Sequence, residues 1–278
     1  MTYIQAMVLG LIQGLTEFLP VSSSGHLIFV PTILGWADQG VAFDLMMHGG
    51  TLAAVVIYFR KKLWQLICAV FSRGSEQASH RRLGWFIALS AIPAAIVGLL
   101  LETNERNPVL VGANLIFWGL VLGLADYFSR KNFKLKRSNV IDTTKSSFDN
   151  FNNDSTSKRS IIAMSFAQIL ALIPGTSRSG ITMTAGLFSG LGRKDAAEIS
   201  FLMSVPITTL AGLAAFYELL QTNFNGVAFG VLLTGFFVAF LSGLLAINGL
   251  LKIVERWSFT PFVVYRVLVG VFILWYLS

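Results

Sequence analysis

The chain has 278 residues, of which 54% are hydrophobic and 13% charged, against about 25% charged in an average soluble domain. A mean hydropathy of +0.68 excludes an ordinary water-soluble enzyme and points to a polytopic membrane protein. The net charge of +7 does not indicate nucleic acid: the basic residues flank apolar spans, as the cytoplasmic-loop bias predicts, and no aromatic-interleaved basic patch accompanies them. Cys68 is the single cysteine, which excludes an intrachain disulfide and a cysteine metal cluster and reads as a small core residue.

The first stretch, 1–36, opens MTYIQAMVLGLIQGLTEFLP. It lacks the basic n-region of a cleavable signal and carries Gln13 and Glu17 within its apolar run. Six apolar spans follow, at about 41–59, 84–101, 109–128, 199–220, 227–251 and 261–277, each near the roughly 20 residues that a crossing needs. Residues 63–71 are too short to cross and read as interfacial or packed on the bundle. Arg60, Lys61, Lys62, Arg73, Arg81 and Arg82 lie between the first two spans with only Glu76 opposing them, so that connector is cytoplasmic. The stretch 129–159 carries eight Lys or Arg, from Arg130 to Arg159, against Asp142, Asp149 and Asp154, and is cytoplasmic too. By contrast ETNERNP at 102–108 and QTNFNG at 221–226 read as external.

This orientation constrains the two polar runs, EFLPVSSSGH (17–26) and PGTSRSGIT (174–182). Residues 160–193 begin beside Lys158 and Arg159 and end at Arg193 and Lys194, so they enter and return on the inside. Residues 1–36 must leave the chain outside: a second hairpin does so with an external N-terminus, and the alternative is a single crossing with an internal N-terminus, against which 1–36 has no uninterrupted run of about 20 apolar residues. The two runs echo each other: Gln13 to Gly25 and Gln168 to Gly180 have equal spacing, and each interval holds a Pro and ends Ser-x-Ser-Gly. The expected fold is an all-α polytopic membrane protein of one domain. It comprises two inverted-topology repeats, about 1–128 and 160–278, each a re-entrant helical hairpin plus three transmembrane helices, joined by a flexible cytoplasmic linker at 129–159. Irregular backbone at this depth has to be buried in protein or line a wet cavity, so the hairpin tips should meet near mid-bilayer.

Glu17, His26 and Arg178 fall at membrane depth, where an ionisable side chain costs about 2.5 to 3.5 kcal/mol on insertion scales. Each is a site candidate for that reason. In PGTSRSGIT a turn, hydroxyls and a helix start converge on an anion site, and the planar fork of Arg178 suits phosphate oxygens; the structural alternative is an arginine that only pairs with a carboxylate. Gln13 and Glu17, four apart, share a helix face and offer oxygens to a hard divalent cation or a reacting water, or serve as a packing amide and an ion-pair partner. His26 suits acid-base work or direct attack, or a hydrogen-bonded core role. Ser22, Ser23 and Ser24 supply a nucleophile or a helix cap. Asp44 and His48 share a face of the first crossing and either line the cavity or bond between helices. His80 reads as solvated and Glu198, Glu218 and Glu255 as near span ends; none of these six residues is read as a site residue.

EFLPVSSSGH preceded by Gln13, FDLMMHGGTLAAV from Phe43, and PGTSRSGIT together closely resemble the undecaprenyl-diphosphate phosphatases of bacteria, also called bacitracin-resistance proteins. The resemblance runs through both halves and leaves out 129–159. It implies hydrolysis of undecaprenyl diphosphate to undecaprenyl phosphate and inorganic phosphate, recycling the lipid carrier of cell-wall synthesis and giving bacitracin resistance. It implies catalytic roles for Glu17, Ser23, His26 and Arg178, and phosphate binding by Ser22, Ser177, Arg178, Ser179 and Thr182. A divalent cation, Mg²⁺ or Ca²⁺, would sit on Glu17 and Gln13; Gln13 stands where the family has Glu or Gln, which removes one carboxylate and puts more weight on Glu17. Partners are the polyprenyl diphosphate and membrane lipids, without nucleic acid; a homo-oligomer is left open. The expected location is the bacterial plasma membrane, with the site opening outward. The nucleophile stays open among His26, Ser23 and water. A second lipid-phosphatase superfamily has a later histidine six positions after its arginine, where this chain has Thr184. A lipid transporter remains the other reading, because inverted repeats with broken helices are also transport architecture.

Overall fold

The computed structural model describes residues 1–72, 74, 77–100, 107–137, 155–222 and 228–277, and all regular secondary structure among them is helical. In chain order the helices are α1 (Tyr3–Phe18), α2 (Ser23–Leu34), α3 (Val41–Tyr58), α4 (Arg60–Phe71), α5 (Ala78–Leu89), α6 (Ile92–Leu100), α7 (Pro108–Arg137), α8 (Ser155–Leu170), α9 (Arg178–Phe188), α10 (Arg193–Thr222), α11 (Phe229–Arg256) and α12 (Thr260–Leu277). Five apolar stretches are long enough to cross a membrane: Val41–Tyr58, Ala78–Leu100, Pro108–Arg130, Arg193–Tyr217 and Phe229–Arg256. The chain is therefore a multi-pass helical membrane protein. The sixth expected crossing is α12, a shorter apolar helix of 18 residues, about 27 Å long at 1.5 Å per residue.

Local chemistry sets several boundaries. Thr2 and Gln5 form a reciprocal capping box that starts α1: Thr2 Oγ1 accepts from the Gln5 amide and Gln5 Oε1 from the Thr2 amide. The second crossing is not one continuous helix but two, α5 and α6, broken at Ser90–Ala91 ahead of Pro93; proline lacks the amide that would continue the ladder. At the break itself the carbonyl of Ser90 accepts from Gln168 Nε2 at 2.8 Å. α4, read as too short to cross, packs on α5. Cys68, expected in the core, is exposed on α4, because α4 buries only Leu66 and Ala69 against the bundle. Around the expected linker α7 runs to Arg137 and α8 begins at Ser155; 138–154 lies outside the described residues.

α1 packs against α2 and α11, α3 against α10 and α11, and α7 against α12. In the second half α8 packs against α9 and α6, and α9 against α7 and α10. The α1–α11 contact is close because small residues face each other: a Cβ on Gly10 would stand 2.8 Å from the Gly235 carbonyl, and one on Gly14 would overlap Ser242 Oγ. The main core gathers the ends of the helices nearest the basic residues, with Phe59 just after α3, Leu83 of α5, Leu122 of α7, Met164 of α8, Phe201 of α10 and Leu250 of α11. It fills the interior on that side, and the polar tips lie beyond it.

Candidate active site

Each of the two short-helix pairs breaks where its hydroxyl-rich run falls. Ser22 and Ser177 both have φ 74°, in the left-handed region, although neither is glycine. Such conformations cost of order 1–3 kcal/mol and persist where the surroundings fix them. Each serine caps the helix that follows: Ser22 Oγ accepts from the Gly25 amide at 3.4 Å and Ser177 Oγ from the Gly180 amide at 3.1 Å. Each also pairs with the serine two residues on, Ser22 with Ser24 and Ser177 with Ser179, at 3.3 Å in both. The Ser-x-Ser-Gly spacing is thus one backbone device used twice, and it leaves the N-termini of α2 and α9 at the tips.

Both tips open on a cavity of about 420 Å³. Its polar floor is formed by Glu17, Ser22, Ser23, Ser24, Ser177 and Arg178, with Asp44 and His48 of α3 beside them and Gln168 of α8. Its walls are apolar, from Leu45 of α3, Ala94 of α6, Leu172 after α8, and Ile207 and Ala211 of α10. Pro206 interrupts the α10 ladder next to this wall. A charged floor under an apolar chamber suits an amphiphile with an anionic head.

Glu17 is the centre of the floor. Its Oε1 accepts from Arg178 Nη2 at 2.7 Å; its Oε2 accepts from Ser23 Oγ at 2.6 Å and from Gln13 Nε2 at 3.2 Å. Arg178 also donates from Nη1 to the Ser200 carbonyl at 3.2 Å. The pair is mostly buried, with side-chain exposures of 14% for Arg178 and 11% for Glu17, and a buried ion pair holds only when further hydrogen bonds satisfy both members. Here they do, and the pair joins the first tip to the second across 161 positions of chain.

The other expected residues divide by position. Ser179 and Thr182 are buried outside the cavity lining. Ser179 Oγ donates to the Leu19 carbonyl at 3.0 Å, a second tie between tips, and Thr182 Oγ1 meets Ser200 Oγ at 2.7 Å. Gln13 is fully buried, and among the described residues its Oε1 has no hydrogen-bond partner. His26 lies outside the lining as well. Its Nδ1 donates to the Ser22 carbonyl and its Nε2 accepts from the Tyr265 hydroxyl, both at 2.7 Å, with the two rings stacked.

Sequence reasoning missed Arg266. This arginine of α12 is 1% exposed and donates to the carbonyls of Pro20 in the first tip, Gly175 and Thr176 in the second, and Asn114 and Leu115 on α7, at 3.0–3.3 Å. Gly175, with φ 86°, lies so close to α7 that a Cβ would stand 2.6 Å from the Val111 carbonyl. Asn114 adds a bond from Nδ2 to the Pro174 carbonyl at 2.9 Å. The signal was available: Arg266 interrupts an apolar run as Arg178 does, and the cost of charge at depth applies equally.

The family model described as bacitracin resistance protein BacA matches residues 6–272. The chain is 39% identical over 282 residues to the undecaprenyl-diphosphatase of Alteromonas mediterranea, covering 99% of each chain. It is 42% identical over 284 residues to undecaprenyl-diphosphatase 1 of Pseudoalteromonas translucida, covering 100% of both. It is 43% identical over 284 residues to the undecaprenyl-diphosphatase of Aliivibrio salmonicida, covering 100% of this chain and 99% of the relative.

Proposed function

Because the chain belongs to the bacitracin resistance protein BacA family, we propose that it hydrolyses undecaprenyl diphosphate to undecaprenyl phosphate and inorganic phosphate, regenerating a carrier lipid and conferring bacitracin resistance. The observation that carries the reading is the Arg178–Glu17–Ser23 chain on the floor of an apolar-walled cavity. The diphosphate head lies on the floor between the N-termini of α2 and α9, whose unpaired amides and positive dipole ends favour anions. The prenyl chain runs along the apolar walls toward lipid.

Ser23 is the nucleophile best supported by the geometry. Its Oγ forms a bond to the terminal phosphorus while its proton passes to Glu17 Oε2, 2.6 Å away. The bridging P–O bond breaks with its electron pair on the lipid monophosphate, and water then releases inorganic phosphate from the phosphoserine. Arg178 neutralises charge on the transferring phosphoryl group, as such clamps do in phosphoryl transfer. Ser22 and Ser177 set the strained caps that aim the two helix ends. Ser179, Thr182 and His26 act from behind the floor: Ser179 ties the tips, Thr182 fixes the first turn of α9, and His26 fixes the Ser22 carbonyl next to the nucleophile.

The donor set suits a Mg²⁺ or Ca²⁺ that arrives with the diphosphate, since Mg²⁺ is commonly held by one or two carboxylates plus substrate phosphates. Glu17 and the orphaned Gln13 Oε1 would hold it, and its chemistry would be neutralisation of the head group. No group of three His, Cys, Asp or Glu gathers among the described residues, so such an ion depends on the substrate for the rest of its shell.

The same reading places the protein in the bacterial plasma membrane with the cavity facing outward, supported by the basic residues at the opposite ends of α3 and α10. It takes the chain as two inverted repeats. The matching geometry of the Ser22 and Ser177 caps supports this, as does the exchange of packing partners: α1 lies on α11, and α8 lies on α6. The test is inorganic phosphate release from a C55 diphosphate by purified protein in detergent, with and without chelator, beside Glu17→Ala and Arg178→Ala. Wild type releases phosphate, chelator suppresses release, and each substitution lowers it by about 10²-fold or more. Folded wild type that releases none with divalent ions supplied sinks the reading and favours lipid transport instead.

A further inference from the structure

We propose that His48 is a further catalytic residue, the general base that activates the water for release of inorganic phosphate; this rests on the reading of Ser23 as nucleophile. His48, on α3, lines the cavity with Glu17, Ser23 and Arg178. Its Nδ1 lies 2.8 Å from the backbone carbonyl of Asp44. A carbonyl only accepts, so Nδ1 carries the hydrogen and the neutral ring keeps its lone pair on Nε2. Among the described residues, none hydrogen-bonds that nitrogen.

His26 makes the contrast. It is fixed in the same tautomer by the Ser22 carbonyl, but its Nε2 is occupied by the Tyr265 hydroxyl and its ring lies outside the cavity lining. Of the two histidines near the tips, His48 is the one that has both an available basic nitrogen and a place on the cavity wall. In this scheme Glu17 holds the Ser23 proton after the first step and returns it to Oγ in the second, which leaves the water's proton for a second base.

In that step a water oxygen forms a bond to the phosphorus of phosphoserine 23. The Oγ–P bond breaks with its electron pair on Oγ, which recovers the proton held by Glu17. The water's proton goes to His48 Nε2 and from there to solvent, and inorganic phosphate leaves. Nothing is oxidised or reduced.

The test uses rapid-quench kinetics with C55 diphosphate, measuring lipid monophosphate and inorganic phosphate separately, on wild type and on His48→Asn. Asparagine Nδ2 reproduces the Nδ1 donation to Asp44 and removes only the Nε2 base. His48→Asn should release one equivalent of lipid monophosphate per site in a burst, with inorganic phosphate release slowed by about 10²–10⁴-fold. Intact-mass measurement should find a phosphoryl group on Ser23. Imidazole in the buffer should restore phosphate release to His48→Ala. His48→Asn turning over at the wild-type rate overturns the proposal; so does equal slowing of both products with no burst and no imidazole rescue, which marks a structural role. Full turnover by Ser23→Ala is a different failure, that of the nucleophile assignment itself, and is read on a separate variant.

Discussion

Arg178 does two things with one planar group: it donates to Glu17 from one terminal nitrogen and to the Ser200 carbonyl from the other. A lysine has the charge but not the fork, and cannot hold both acceptors at fixed geometry. Arg178→Lys should therefore keep the fold and lose at least about 10-fold in kcat, with a smaller change in KM, in the phosphate-release assay; an unchanged kcat would mean that charge alone suffices. Glu17 and Arg178 were legible in the sequence because a bare charge at membrane depth is too costly to be incidental. What the sequence withheld is orientation. His26 sits in the more conspicuous motif, yet its ring turns to Tyr265, while His48 faces the cavity. Which way a helical side chain faces depends on neighbours hundreds of positions away, and periodicity within one helix does not reveal it. Arg266 was visible as a charge at depth, but its role was not: its acceptors are five backbone carbonyls, and a carbonyl has no signature in the sequence.

At the scale of elements, the short helices of the tips are held by tight packing on one side and by Arg266 on the other. α1 reaches the floor through Glu17, one turn after Gly14, and a Cβ on Gly14 would overlap Ser242 of α11. Gly14→Val forces α1 away from α11 and carries Glu17 with it. Overpacking of this kind costs typically 1–3 kcal/mol, so a lowered Tm in detergent should accompany loss of activity. Ser242→Ala should return little of either, because the Cβ would still stand 2.5 Å from the Ala239 carbonyl and 2.8 Å from the Gly243 nitrogen. Arg266→Met leaves carbonyls of both tips buried without a donor. At about 1–3 kcal/mol for each group left unsatisfied, this substitution should lower Tm more than Arg178→Lys does. Differential scanning fluorimetry on both variants in one detergent decides the order. The spans, the two broken runs and the basic connectors were readable from hydropathy and charge. The break between α5 and α6 was not, because Pro93 within an apolar run of crossing length is compatible with a continuous kinked helix until Gln168 is seen to take the Ser90 carbonyl.

For the whole molecule, the apolar core and the cavity lie on opposite sides of the tips. The core occupies the ends of α3, α10 and α11 nearest Arg60, Arg193 and Arg256, whereas the cavity is lined by Val41 to His48 of α3 and by Ile207 to Ala215 of α10. His48 is seven residues from the start of α3, about 10 Å at 1.5 Å per residue. Ala215 lies 22 positions beyond Arg193, about 33 Å on the same scale. Because basic residues favour the cytoplasmic side, the proposed orientation puts the cavity mouth on the outer face. In a Cys68→Ser background, Val41→Cys at the exposed start of α3 should react with a membrane-impermeant thiol reagent added to intact cells, and undecaprenyl diphosphate in the detergent-solubilised protein should protect it. Trp257→Cys, exposed beside Arg256, should react only after the membrane is opened. The reverse pattern would place the cavity on the cytoplasmic face, and with it the leaflet from which the lipid head is taken. That would leave the Arg178–Glu17–Ser23 chemistry in place but overturn the orientation drawn from the charges.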